Sequence, residues 1–391
     1  MRMTIRHMIP LMASFLFAIK AGYALELGSL AKVDSMLEML FPATEPGAAV
    51  LIGHERKVVW DKGYGVADIH SRIPITGNTF FNIASVSKAF TAMAVLQLAE
   101  QGRLSLEDPV AYYRPDFQST LWRHVRIKHL LAHSSGVPDA RHGLTREQRV
   151  YGDEALAMEY MKSLDTLHFL PGTQYEYINP TFVLLGDIVE RVTGLPFERY
   201  MKKHILRPAG MKHTCYFDRH HQERIKNMAH GYEYGSLEGM GEEHAAHVPQ
   251  QVKDWYEYDY GEETFFATRP DGGMYSSTHE FLRWIQVLDA YELLGKYYQD
   301  MAQQPHTKVT GSIFSDYQNR GNTWYGWGWF VETSSLCHPH IVYHTGDNGG
   351  FKILAALLPE THSFILIFAN RTDWDRYEVL QKIIRILQLN S

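Results

Sequence analysis

Strand-forming segments lie near both ends of this 391-residue chain, and helix-forming segments fill the space between them. Near the N-terminus, residues 48–53 and 57–65 flank a short polar turn, which predicts a β-hairpin. A two-stranded hairpin is only marginally stable alone, so it needs further strands as partners. The remaining strand candidates stand close to the C-terminus, at 324–332, 341–343, 351–358 and 363–369.

This arrangement predicts an α/β fold in which one antiparallel sheet is built from both chain ends and flanked by helices. Apolar spacing predicts the main helices at 85–101, 182–193, 279–289 and 376–389. We therefore expect a sheet domain formed by residues 25–84 and 320–391. A mostly helical domain, residues 85–319, is inserted into it, and both domains are expected to border the active site.

The composition is that of a soluble globular protein, with 45% hydrophobic and 21% charged residues. The formal net charge is −6, and no run of five or more basic residues occurs. Because neutralising phosphates requires clustered cations, we expect no nucleic acid among the partners of this protein.

The first 24 residues have the layout of a secretory signal. Arg2, Arg6 and His7 precede an apolar stretch at 8–19, and small residues occupy positions 22 and 24. This layout predicts cleavage after Ala24 and export to the periplasm or the extracellular space, with no stable membrane anchor. An N-terminal anchor is the alternative, although the apolar stretch is shorter than the roughly 20 residues that span a bilayer.

Cysteines and possible metal ligands show weaker patterns. Cys215 and Cys337 carry no spacing motif and are expected to stay unpaired. Glu243, His244 and His247 could present ligands at helical spacing, but nearby glycine and proline disfavour a helix, so we interpret them as solvated surface. We expect no metal and no other cofactor. The aromatic and acidic segment 255–260 is interpreted as a packed surface loop, with substrate contact as the alternative.

A serine and a lysine stand one helical turn apart where the N-terminal strands give way to an apolar helix. Ser85 and Lys88 would share one helical face, and burial of an amine favours the neutral form that can act as a base. The helix N-terminus also favours negative charge that develops on a substrate. The alternative for Ser85 is a simple helix cap. Ser29 and Lys32 have the same spacing without such a context.

Two further short motifs follow in the chain. Tyr177-Ile178-Asn179 lies in a loop-like stretch before an apolar helix, whereas Tyr317-Gln318-Asn319 has the same spacing in a polar stretch and is interpreted as surface. His344-Thr345-Gly346 comes at the end of a predicted strand. Glycine there would let a substrate approach the strand edge.

Taken in order, these three motifs resemble those of the serine β-lactamase and penicillin-recognising enzyme superfamily, in the branch of class C β-lactamases, DD-peptidases and β-lactamase-like esterases. The resemblance extends over nearly all of the chain after the signal. It includes segments interpreted as scaffold at 102–109, 129–136, 184–186, 208–211 and 325–328. His133 lies in one of them, so we interpret it as structural rather than as a catalytic histidine.

The resemblance implies a role for each motif residue. Ser85 is the acylated nucleophile, Lys88 activates it, and Tyr177 carries the proton to and from the leaving group. The substrate is bound by Asn179, His344, Thr345 and Gly346. The backbone N–H groups of Ser85 and Asp347 form the oxyanion hole.

Two sequence features narrow the class of enzyme. Tyr-x-Asn as the second motif argues against a class A β-lactamase, and no serine lies in a Gly-x-Ser-x-Gly motif, which argues against an α/β-hydrolase. Most class C β-lactamases have Lys-Thr-Gly as the third motif. His344 in this position is mostly neutral near pH 7, so a fixed positive charge for a β-lactam carboxylate is missing.

We therefore expect a secreted serine hydrolase that forms an acyl-enzyme with peptide or amide substrates, in the manner of a D-alanyl-D-alanine carboxypeptidase or D-amino-acid peptidase. The expected partner is a small-molecule or peptide substrate, such as a cell-wall peptide. The alternatives are a carboxylesterase, a weak class C-type β-lactamase, or a non-catalytic penicillin-binding sensor.

Overall fold

The computed structural model describes residues 27–139, 144–145, 148, 152–217, 225–235, 251–252, 254–258, 268–310, 322–333 and 340–389. The predicted signal, Cys337, the Tyr317 motif and the candidate ligands Glu243, His244 and His247 lie outside these residues. Among the helices within them, none combines the length and the apolar character needed to cross a membrane.

The strands of the described chain, in order, are β1 (Ala48–His54), β2 (Lys57–Tyr64), β3 (Val66–Asp68), β4 (Ile73–Pro74), β5 (Phe81–Asn82), β6 (Cys215–Tyr216), β7 (Tyr232–Tyr234), β8 (Gln251–Val252), β9 (Trp255–Glu257), β10 (Met274–Ser276), β11 (Thr307–Lys308), β12 (Thr323–Tyr325), β13 (Phe330–Glu332), β14 (Ile341–Asn348), β15 (Phe351–Leu358) and β16 (Ser363–Ala369).

The α-helices are α1 (Leu27–Leu40), α2 (Ser87–Glu100), α3 (Val110–Tyr113), α4 (Ile127–Leu131), α5 (Glu154–Ser163), α6 (Asn179–Thr193), α7 (Phe197–Met201), α8 (Thr278–Asp289), α9 (Lys296–Ala302) and α10 (Arg376–Leu387). Short 3₁₀ helices occur at Ala84–Val86, Thr120–Arg123 and Pro359–Thr361, and a π-helical turn at Lys202–Leu206.

The largest sheet joins both chain ends, which confirms the predicted α/β architecture. Its described strands follow the spatial order β11-β12-β13-β14-β15-β16-β1-β2, and every neighbouring pair is antiparallel. The N-terminal hairpin therefore extends the C-terminal strands through the pairing of β1 with β16. Because β11 already belongs to this sheet, the sheet begins before the predicted domain boundary at residue 320.

Both faces of the sheet are covered by helices. Along β1, Ala49 and Leu51 belong to the core shared with the inserted helical segment, whereas Val50 and Ile52 belong to the core beneath α1 and α10. The alternation follows from the two-residue period of a strand. It also explains why the central strands are continuously apolar, since neither face is left to solvent.

The prediction of one strand at 324–332 was wrong, because a loop divides it into β12 and β13. The loop contains Gly328, which adopts a φ of +80° and packs against the first turns of α2. A Cβ atom at this position would lie 3.0 Å from the carbonyl oxygen of Lys88. Glycine is therefore needed both for the backbone conformation and for the close approach.

Candidate active site

Ser85 stands in the 3₁₀ helix Ala84–Val86, immediately before α2, rather than in the first turn of the α-helix. Its side chain is partly exposed, although the residues on either side of it are buried. Ala84 adopts a φ of +45°, and its N–H donates to Asn82 Oδ1 over 2.7 Å. A left-handed alanine is conformationally costly, so this turn is held in place by its surroundings.

Lys88 is fully buried and forms a direct hydrogen bond with Ser85. Its Nζ donates to Ser85 Oγ over 2.9 Å and to the backbone carbonyl oxygen of Asp271 over 2.7 Å. The same Nζ lies 4.9 Å from the ring centroid of Tyr177. The lysine therefore links the candidate nucleophile to the candidate proton carrier in a water-poor setting, where such interactions are strong.

The segment of the second motif leads into α6. Tyr177 is buried in the loop, and Asn179 is the first residue of the helix. The Asn179 Oδ1 atom is enclosed and accepts no hydrogen bond from the residues that the structure describes. It therefore retains an acceptor site beside the catalytic candidates.

The third motif lies within β14, because this strand continues to Asn348 instead of ending at residue 343 as predicted. Gly346 packs on the turn that carries the serine: a Cβ atom there would overlap the Ile83 carbonyl oxygen and stand 3.1 Å from Ala84 Cβ. Glycine thus brings the backbone of β14 against the nucleophile turn. Two backbone N–H groups can serve one oxyanion only where their chains lie close together, and their convergence here stays a prediction.

A buried arginine holds the end of β14. Arg376, the first residue of α10, donates from Nη1 to Asp347 Oδ2 over 2.8 Å and to the carbonyl oxygens of Gly346 and Ile353 over 3.2 and 3.3 Å. Its side chain is only 2% exposed, which removes it from direct contact with solvent. No sequence pattern indicated this role for Arg376.

His344 is completely buried, and its two ring nitrogens both form hydrogen bonds. Nδ1 lies 2.7 Å from the carbonyl oxygen of Thr345, which can only accept, so Nδ1 carries the proton. Nε2 then accepts from the Tyr325 hydroxyl over 3.0 Å. Burial lowers the pKa of His344 to about 3. The ring is thus neutral, and contact between His344 and a substrate carboxylate stays a prediction.

The structure brings Ser85, Lys88, Tyr177 and the β14 segment of the third motif to one place. It also adds residues that the sequence did not assign to the site, namely His133, Asp271, Tyr325 and Arg376. Of these, His133 and Tyr325 lie in segments interpreted as scaffold from the sequence, at 129–136 and 325–328. The second Ser-x-x-Lys pair, Ser29 and Lys32, lies on α1, which packs against α10.

The other candidate chemical groups lie elsewhere. Cys215, in β6, has no disulfide partner among the residues that the structure describes, and burial raises the pKa of its thiol to about 11. Trp255 and Tyr256 are buried in β9, with the Arg371 guanidinium 4.4 Å from the Trp255 ring centroid. Within the described residues, no three histidine, cysteine or acidic side chains are grouped closely enough to bind a metal ion.

Comparison with known proteins gives a consistent family assignment. The family model described as Beta-lactamase matches residues 39–389. Over 346 residues the chain is 30% identical to protein flp of Staphylococcus aureus (strain MW2). This alignment covers 87% of this chain and 62% of that protein. The chain therefore spans about three fifths of the length of this curated relative.

Solved structures agree with this assignment. The octameric penicillin-binding protein homologue from Pyrococcus abyssi has a TM-score of 0.73 and 26% identity, covering 92% of this chain and 77% of that one. D-amino acid amidase from Ochrobactrum anthropi SV3 has a TM-score of 0.74 at 20% identity, covering 92% and 98%, and shares the fold. The match of this family model over residues 39–389 shows that this chain belongs to the β-lactamase family.

Proposed function

We propose that this protein is a serine hydrolase that forms an acyl-enzyme at Ser85. The observation that carries the proposal is the hydrogen bond of 2.9 Å between the buried Lys88 amine and the Ser85 hydroxyl. A serine hydroxyl is a weak nucleophile until a neighbouring base accepts its proton. Family membership supports the same chemistry.

The proposed reaction begins when Ser85 Oγ attacks the substrate carbonyl carbon and its proton passes to neutral Lys88. The N–H groups of Ser85 and Asp347 stabilise the oxyanion of the tetrahedral intermediate. Tyr177 then delivers a proton to the leaving group as its bond to the carbonyl carbon breaks. Attack by water on the acyl-enzyme reverses these roles and releases the acid with free Ser85.

For the substrate, we propose small amides or peptides of the D-amino-acid type, such as cell-wall peptides. Similarity to a penicillin-binding protein homologue supports this class. The carboxypeptidase form of the proposal requires recognition of a terminal carboxylate, and the neutral, fully hydrogen-bonded His344 supplies no charge for it. This observation favours a second candidate, a carboxylesterase acting on uncharged esters.

The test is a substrate panel measured with the full chain. It consists of a D-alanyl-D-alanine peptide, the matching D-alanine amide, a short aryl ester and a chromogenic cephalosporin, compared by kcat/KM. We expect the amide or peptide to be turned over fastest, and turnover to disappear in Ser85→Ala. Ser87→Ala is the matched control, since Ser87 Oγ accepts a hydrogen bond from the Met274 N–H within the buried core.

Each outcome of the panel has a defined meaning. Fastest turnover of the aryl ester would replace the peptidase proposal with the esterase. Stoichiometric labelling of Ser85 by the cephalosporin without turnover of any substrate would replace both with a penicillin-binding sensor. Undiminished turnover in Ser85→Ala would overturn the acyl-enzyme proposal as a whole.

We also propose that the protein is exported, on the basis of the charged and apolar layout of residues 1–24. N-terminal sequencing of the protein recovered from outside the cytoplasm should give Leu25 as the first residue. Recovery of material that still begins with Met1 would contradict export with cleavage.

A further inference from the structure

His133 is connected to three consecutive residues around the candidate proton carrier. Its backbone carbonyl oxygen accepts from the Glu176 N–H over 2.9 Å, and its ring Nδ1 accepts from the Ile178 N–H over 3.2 Å. Between them, the Tyr177 ring lies on the imidazole, with centroids 4.1 Å apart and planes inclined by 34°. His133 thus binds the backbone on both sides of Tyr177 and also contacts one face of its ring.

These contacts settle the protonation of His133. Because Nδ1 accepts a backbone N–H, it has no proton, and the single ring proton is on Nε2. Burial lowers the pKa of His133 well below its ordinary value. The imidazole therefore adds no positive charge to the site and acts as a neutral acceptor and packing surface.

The backbone of His133 is also unusual. Its φ is +49°, a conformation that few residues other than glycine adopt without cost. The residue follows α4 by two positions, and the left-handed conformation turns the chain so that residues 133 and 134 accept hydrogen bonds from Glu176 and Gly172. A costly conformation that persists beside a reactive group is a mark of a functional constraint.

We infer that His133 is a positioning residue that fixes the Tyr177 phenol relative to Lys88. This inference rests on the proposed acyl-enzyme function and extends it to a residue outside the three motifs. Lys88 Nζ is 4.9 Å from the Tyr177 ring centroid, while the imidazole supports the ring by stacking. A displacement of the ring by a fraction of an ångström would lengthen the proton path and lower kcat. Substrate affinity would change little.

The experiment isolates the acceptor with two variants that both lack the ring and both tolerate a left-handed backbone. His133→Asn places Oδ1 near the position of Nδ1 and so retains the acceptor for Ile178, whereas His133→Gly removes the acceptor as well. With the fastest substrate of the panel, we expect His133→Asn to keep kcat within about fivefold. His133→Gly should lower kcat by about 30-fold or more, and both should keep KM within about twofold.

His129 supplies a matched control in the same segment. Its Nδ1 also accepts a backbone N–H, that of Arg126, over 3.1 Å, at the start of α4. His129→Gly should lower the melting temperature as His133→Gly does but leave kcat within about twofold. This comparison distinguishes positioning from a general loss of stability.

Several results would overturn the inference. One is an equal kcat in His133→Asn and His133→Gly. Another is a fall in kcat for His129→Gly in proportion to its fall in melting temperature. A third is an increase in KM that accounts for the whole loss of kcat/KM in the His133 variants. If turnover depends on Ser85 but both His133 variants have a normal kcat, the positioning role of His133 is rejected and the proposed function is retained. Turnover that survives Ser85→Ala would reject the proposed function instead.

Discussion

Gly346 lies directly against the carbonyl group of Ile83, with no space for a side chain between β14 and the turn that carries the nucleophile. This contact joins the sheet to the inserted helical segment at the point where Ser85 and the N–H of Asp347 would share an oxyanion. The proposed site is therefore formed by two parts of the chain that are about 260 residues apart in sequence. Four predictions follow from this geometry and its surroundings.

Gly346→Ala should lower both stability and turnover. The added Cβ atom overlaps the Ile83 carbonyl oxygen, so β14 must move away from the nucleophile turn, at a cost of about 1–3 kcal/mol. The same movement separates the two N–H groups proposed to stabilise the oxyanion and should reduce kcat. Urea unfolding and steady-state kinetics measure the two effects. Gly28→Ala in α1 is the control, since a Cβ atom there meets nothing within 4 Å, and it should lower neither stability nor kcat.

Tyr177→Phe should lower kcat by roughly 10²- to 10⁴-fold, because it removes the hydroxyl proposed to carry the proton but keeps the ring that packs on His133. KM should change little. Tyr175→Phe is the matched control, since Tyr175 belongs to the same aromatic cluster and packs at 6.1 Å from the Tyr325 ring. A kcat for Tyr177→Phe equal to that of Tyr175→Phe would exclude the phenol as the proton carrier.

Stability should fall as the pH decreases from about 6.5 toward 3. The pKa of His344 is lowered to about 3 in the fold by burial, so below pH 6.5 the unfolded chain takes up a proton that the folded chain does not. Each such group contributes a slope of up to about 1.4 kcal/mol per pH unit. Replacing His344 by Gln should therefore make the dependence shallower by about one proton.

The measurement is the free energy of urea unfolding at several pH values between 4 and 7. His70→Gln changes an exposed histidine and should keep the slope of the unmodified chain. An unchanged slope in His344→Gln would mean that His344 can take up a proton in the folded state.

Ala84→Gly should stabilise the protein by about 0.5–1 kcal/mol. Ala84 adopts a φ of +45°, which costs an L-residue more than it costs glycine, and this difference exceeds the added flexibility of the unfolded chain. Thermal unfolding measures the effect. A lower melting temperature would show that the alanine methyl group contributes more through packing against β14 than its backbone conformation costs.

The sheet was predictable in large part because its strands are marked by local sequence. The bounds of β15 and β16 are the same in the prediction and in the structure, because continuous apolar runs buried on both faces need no distant information to be recognised. The end of β14 was not predictable. Its residues His344–Asn348 are polar or glycine, and they are held in the strand by pairing with β15, as in the pair of Asp347 with Lys352.

The candidate catalytic residues also divide into those predictable from local sequence and those that only the tertiary structure brings into contact. Ser85 and Lys88 are one helical turn apart, so their contact follows from local geometry. The order of the three motifs could be recognised in the sequence. The sequence could not show that His344 is buried and hydrogen-bonded through both ring nitrogens, that Arg376 holds Asp347, or that His133 supports Tyr177. Each of these depends on contacts between residues that only folding brings together, and burial is what decides whether a histidine is charged.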